Sequence, residues 1–147
     1  MEMFKKVIIA VGLNTGVGEL LKPLKEMNFL DQSEIHFVHV FNTFNYTTVL
    51  SDFPFVYPIE ADRSPIQKAI LGLLDKTAKA VLPEGFKGKV IHECLFDESA
   101  KFKFSEYAND QKATLIIVPS RKKRGIFESS FAQYVHKHTE ANLLLLK

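Results

Sequence analysis

The chain has 147 residues, 46% of them hydrophobic and 24% charged, and a net charge of +2. That is enough for one domain with a buried core, too apolar for a disordered chain, and too weakly charged to imply a nucleic-acid or membrane partner. Cys94 is the only cysteine, which rules out an intrachain disulfide and points to a reducing compartment. The apolar run after Lys5 and Lys6, about seven residues, is at the lower limit for a secretory leader and is followed by no small-residue cleavage site. No window approaches the roughly 20 apolar residues of a membrane span. The cytoplasm is the expected location.

Lys6–Leu13 reads as the first strand, because its VIIAV run is continuously apolar, as a central strand covered on both faces requires. The glycines of GLNTGVG, residues 12–18, fit neither the dinucleotide fingerprint nor, without a Lys, a Walker loop. The segment reads as a strand-to-helix turn. No acidic pair follows the strand to hold magnesium, which argues against a phospho-receiver domain. Val17, Leu20, Leu21, Leu24 and Met27 then form a helical stripe capped by Asn14 or Thr15. Pro23 inside it predicts a kink or a restart.

Glu34–Phe41 is the second strand, with His36 and His39 three apart and so on opposite faces. Residues 41–58 carry Phe41, Phe44, Tyr46, Phe53, Phe55 and Tyr57 in a long loop. Such a loop either folds its aromatics back over the domain edge or presents a lid or partner surface. The clearest helix spans Ser64–Leu82, with Ile66, Ala69, Ile70, Leu73, Leu74, Thr77, Ala78 and Val81 on one stripe. Ser64 and Gln67 form a capping-box pattern, Pro65 takes the first helical position, and Pro83 with Gly85 ends the helix.

Lys89–Leu95 is the third strand, followed by a helix over roughly Ser99–Gln111 that stacks Phe104, Tyr107, Ala108 and Gln111. The fourth strand, Thr114–Val118, is again continuously apolar. Arg121–Arg124, the densest charge in the chain, reads either as a solvated loop or as an anion site. A helix at Ser129–His138 carries Phe131, Tyr134, Val135 and His138, and Asn142–Leu146 is the last strand.

Strands alternating with helices imply a parallel sheet with right-handed crossovers, and ligands of such sheets bind beyond the carboxyl ends of the strands. The candidate nucleotide- or anion-binding residues there are Gly12, Val40, Pro119, Ser120, Arg121, Lys122, Arg124, Ser129 and Ser130. No metal is expected, since His136 and His138 diverge on their helix and one cysteine supplies no ligand spacing. No nucleophile elbow and no HxGH, SGGxDS or Walker element supports an enzyme.

KKVIIAV at the start, FVHVF on the second strand, TLIIVPS on the fourth and SSFAQYV before the last resemble the universal stress protein family along essentially the whole chain. The resemblance implies a single-domain three-layer α/β/α sandwich of Rossmann-like, adenine nucleotide alpha hydrolase-like kind. Its five parallel strands would run in the order 3-2-1-4-5. It also implies a homodimer and a role in bacterial stress tolerance. Some members bind ATP through G-x-x-G, about nine residues, then G-[ST]. Here Pro119 and Lys122 stand at the two glycines, and Ser129-Ser130 stand at G-S after a shorter interval. The family's nucleotide-contacting Asp falls at Gly12, and its glycine after the third strand falls within Asp97, Glu98 and Ser99.

These departures place the chain with the branch lacking the glycine motif, and weak ATP or AMP binding is the alternative. Protein contacts without a cofactor are the expected mode of action. In the implied strand order Asn142–Leu146 is an edge. An apolar edge needs cover, and pairing of Asn142, Leu143, Leu144, Leu145 and Leu146 with the same strand of a second copy would supply it.

Overall fold

The computed structural model of the chain describes residues 4–13, 17–43, 63–120 and 130–147. Five parallel strands form one sheet: β1 (Lys6–Ala10), β2 (Glu34–Asn42), β3 (Lys89–Asp97), β4 (Leu115–Pro119) and β5 (Asn142–Leu146). Their order is β3-β2-β1-β4-β5. The helices are α1 (Val17–Leu21), α2 (Ser64–Val81), α3 (Ala100–Asp110) and α4 (Ser130–His138). Order and class agree with the expectation.

Alternation along each strand builds two cores. Val7, Ile9, Ile35, Phe37 and Ile117 meet Leu21 and Leu24, together with Ile70, Leu74, Ala78 and Val81 of α2. Ile8, Val38, Ile116 and Val118 meet Phe104 and Ala108 of α3, with Ala132 and Val135 of α4. Successive residues point to opposite faces, so a continuously apolar strand feeds both layers at once.

Several boundaries differ from the sequence reading, each for a physical reason. The first strand stops at Ala10, not Leu13, because Gly12 and Leu13 turn into solvent. The third runs to Asp97, paired residue for residue with β2. The fourth includes Pro119, paired with Leu146, so this proline ends a strand and does not begin a loop. The stripe after β1 breaks where Pro23 predicted. Helix α1 gives way to 3-10 turns at Lys22–Glu26 and Asn28–Leu30 that still bury Leu24 and Leu30. Asn14 and Thr15 lie outside the described residues.

The cap of α2 is Arg63 and not Ser64, which is already helical, and Pro65 takes the second helical position. The Gln67 amide donates to the Arg63 carbonyl across 2.9 Å. On α2, Ala69 and Leu73 are exposed, because the buried stripe follows the i, i+4 row from Ile70. On α4 the buried residues are Ala132 and Val135. His138 is exposed and stacks on Tyr134. Gly85 has φ +78, which suits the turn that ends α2. Among the described residues no helix is long and apolar enough to cross a membrane.

Candidate functional site

The carboxyl ends of β1, β2 and β4 come together at one rim of the sheet, as a parallel arrangement dictates. Val11, just past β1, donates its amide to the Val38 carbonyl across 2.8 Å. Gly12 then stands exposed at the rim, offering backbone and no side chain. Val40 is half-buried and packs against the α3–α4 core, so it lines the rim with apolar surface.

Pro119 pairs with Leu146, and the Ser120 amide donates to the Leu146 carbonyl across 2.7 Å. The β4–β5 ladder therefore continues through the position where the family's first glycine would stand. Ser120 is 3% exposed, and its Oγ has no hydrogen-bond partner among the described residues. Ser130 opens α4 and is exposed. Arg121, Lys122, Arg124 and Ser129 lie outside the described residues, as does the aromatic segment 44–62. Of those aromatics Phe41 is described. It turns inward, its ring centroid 5.7 Å from that of Phe96.

Beyond β3, the carboxylate of Asp97 accepts from the Ser99 amide across 2.8 Å, and Ser99 Oγ caps α3 by accepting from the Phe102 amide at 3.4 Å. Asp97, Glu98 and Ser99 thus form a helix-capping turn whose first amide is already bonded. The Arg63 guanidinium lies 5.1 Å from the Phe96 ring centroid, closing the α2 side of this rim.

Two histidines sharpen this geometry, and their opposite facing on β2 follows the strand period. His39 donates Nδ1–H to the Val11 carbonyl at 2.7 Å, and burial lowers its pKa from the ordinary value. His36 faces α3 and meets Tyr107 and Glu34. Sequence reasoning weighed both only as metal ligands. The available signal was their place inside an apolar strand, where an imidazole needs a local partner. Two open clefts, about 650 and 400 Å³, lie at the other end of the sheet and share Lys112 and Thr114. They are far from this rim and include none of the candidate residues.

The chain matches the model of the universal stress protein family over residues 3–147. No curated protein matches it significantly in sequence. Among solved structures it is similar to the hypothetical protein PH0823, with TM-score 0.75 and 19% identity over 98% of this chain and 96% of that one. It is also similar to the universal stress protein UspA from Lactobacillus plantarum, with TM-score 0.63 and 14% identity over 98% of each chain. A third is the universal stress protein from Archaeoglobus fulgidus in complex with dAMP, with TM-score 0.61 and 14% identity over 99% of each. Identities this low speak for the fold. The family match spans nearly every residue and agrees with the strand order, and on that ground the chain belongs to the universal stress protein family.

Proposed function

We propose that this protein serves a stress response as a cytoplasmic homodimer that acts through protein contacts, without catalysing a reaction and without binding ATP tightly. The observation that carries this reading is the Ser120 amide bonded to Leu146 at 2.7 Å. A phosphate cradle needs free backbone amides and glycines that let them approach. Here Pro119 has no amide, and the next one belongs to the sheet. Gly12 brings no carboxylate for a ribose, while Asp97 and Glu98 add negative charge on the β3 side. Calorimetry with ATP, AMP and dAMP tests the reading: dissociation constants above about 1 mM, weaker than about −4 kcal/mol, are expected. Micromolar ATP affinity would overturn it.

The dimer rests on β5. This strand pairs with β4 along one edge and lies at the end of the sheet. Leu144 and Leu146 join one core, Leu143 packs on the other, and Leu145 is 38% exposed. An apolar strand with an open edge invites antiparallel pairing with its copy across a two-fold axis.

A second reading, a nucleotide- or anion-binding sensor, is favoured by the buried, unpartnered Oγ of Ser120. The dAMP complex of the Archaeoglobus fulgidus relative supports the same idea. That sensor would use Ser120, Arg121, Lys122, Arg124, Ser129 and Ser130, and the same calorimetry separates it from the first.

A further inference from the structure

At one end of the sheet, β3 pairs with β2 along its whole length. The Lys89 amide donates to the Ser33 carbonyl at 3.2 Å, and Lys89 stands opposite Glu34, so its main-chain groups turn toward β2. Main-chain groups alternate in direction along a strand, and those of Ile91, Glu93, Leu95 and Asp97 turn the same way. The N–H and C=O groups of Val90, His92, Cys94 and Phe96 therefore point out of the sheet. Among the described residues no hydrogen bond takes up any of them. Such a row is a template for a further strand.

The side chains along this edge decide which strand fits. Ile91, Glu93 and Leu95 share the face that looks toward α3, and all three are half-buried. Glu93 is the middle residue of β3, and its side chain has no hydrogen bond or ion pair among the described residues. Its charge reaches inward: the carboxylate raises the pKa of Cys94 and of Tyr107, second to burial in each. A second copy of β3 is a poor occupant. Antiparallel pairing over the full strand places Glu93 opposite its own copy, in a pair that exchanges no main-chain bonds and so brings its side chains closest. Two carboxylates repel there. A strand with a lysine or arginine at that place gains an opposite charge, and apolar residues two positions to either side lie against Ile91 and Leu95.

We propose that the free edge of β3 binds an extended basic segment of a partner protein by strand addition, with a lysine or arginine of that segment paired to Glu93. The proposal rests on the reading that the protein acts through protein contacts, and it names the surface and the partner chemistry. Main-chain bonds to Val90, His92, Cys94 and Phe96 supply affinity that does not depend on the partner's sequence. Glu93 and its two apolar neighbours supply the choice: basic in the middle, apolar two residues before and after. The surface lies at the opposite end of the sheet from β5, so a dimer formed through β5 leaves it free.

Amide hydrogen exchange followed by NMR tests this in two steps. In the free protein the amides of Ile91, Glu93 and Leu95 should exchange slowly, while those of Val90, His92, Cys94 and Phe96 exchange fast. The probe is then a nine-residue peptide with valine at odd positions, threonine at even ones and lysine at the fifth. At about 90% occupancy it should slow the four outward amides by about tenfold. The same peptide with glutamate at the fifth position should bind at least about threefold more weakly. Glu93→Gln should erase that preference. Outward amides already slow in the free protein would overturn the proposal, because the edge is then covered. So would binding of neither peptide, equal affinity for the two, or a preference that survives Glu93→Gln. None of these outcomes decides the protein-contact reading, which stands or falls with the ATP calorimetry.

Discussion

The hydroxyl of Tyr107 lies 2.6 Å from Nδ1 of His36, joining α3 to β2 through an imidazole that is 1% exposed. The other ring nitrogen donates to Glu34 at 2.8 Å, and Glu34 holds Lys6 at 3.4 Å. A polar chain thus runs from the partly exposed Lys6 and Glu34 through the buried His36 to Tyr107 of α3. Tyr107→Phe should leave Nδ1 without its partner where water does not reach, costing about 1–3 kcal/mol in urea denaturation. A loss below about 0.5 kcal/mol would mean that the bond contributes nothing net. Burial pushes the Tyr107 hydroxyl up to about 12, so alkaline absorbance titration should also lose its late step in this variant.

The same chain sets an acid limit on stability. The hydrogen bond from His36 lowers the Glu34 carboxyl below its ordinary 4.5, with Lys6 assisting and burial opposing. A depressed carboxyl stabilises the fold above its unfolded value, and that contribution is lost as pH falls from there through the folded value. Denaturation midpoints should therefore decline below pH 4.5 more steeply in the wild type than in Glu34→Gln. Parallel curves for the two proteins would remove Glu34 from the account.

Cys94 should behave as a core residue and not as a reactive thiol. It is buried, and its pKa is raised to about 11, first by burial and then by the nearby Glu93 carboxylate. Thiolate is the reactive form, so a thiol-specific reagent at pH 7.5 should label native protein far more slowly than protein unfolded in guanidinium. Equal labelling rates would show that the α2 face opens readily around β3.

The edge of β5 can be challenged without breaking the core. Leu144 and Leu146 pack inside, so a charge there would threaten folding, whereas Leu145 is partly exposed. Leu145→Lys should yield a folded monomer or a much weakened dimer in sedimentation velocity. A wild-type protein that sediments as a monomer at tens of micromolar would remove the dimer from the proposal.

The basic run Arg121–Arg124 has a separate test. If the loop takes an anion, sulfate or phosphate should raise the melting temperature beyond chloride at matched ionic strength. That gain should vanish when Arg121 and Arg124 are both replaced by Ala. Equal shifts in wild type and variant would make the run a solvated loop.

The candidate rim was legible in outline. Gly12, Pro119 and Ser120 do sit at the carboxyl ends of the strands, because a parallel sheet leaves no other place for its crossover loops to begin. What they do there was less legible. Pro119 reads as a loop residue, since proline donates nothing to a ladder. At the last position of β4 it stands opposite Leu146, and the hydrogen bond to β5 there is donated by the following Ser120 amide. The capping box at Ser64 and Gln67 lost to an earlier start at Arg63, a choice of one residue that local pattern cannot fix.

Periodicity and composition by themselves determined the number and order of strands and main helices and the parallel class, because each depends on which neighbours in sequence share a face. The two-layer burial of β1 and β4 followed from their continuous apolar runs for the same reason. Tertiary structure alone decided the partners of isolated polar groups. His39 finds Val11, 28 residues away, and His36 finds Tyr107, 71 residues away. It also committed the Ser120 amide to Leu146. A hydrogen bond is set by ångström-scale distance and direction, and those are fixed only when the packed layers bring distant parts of the chain together.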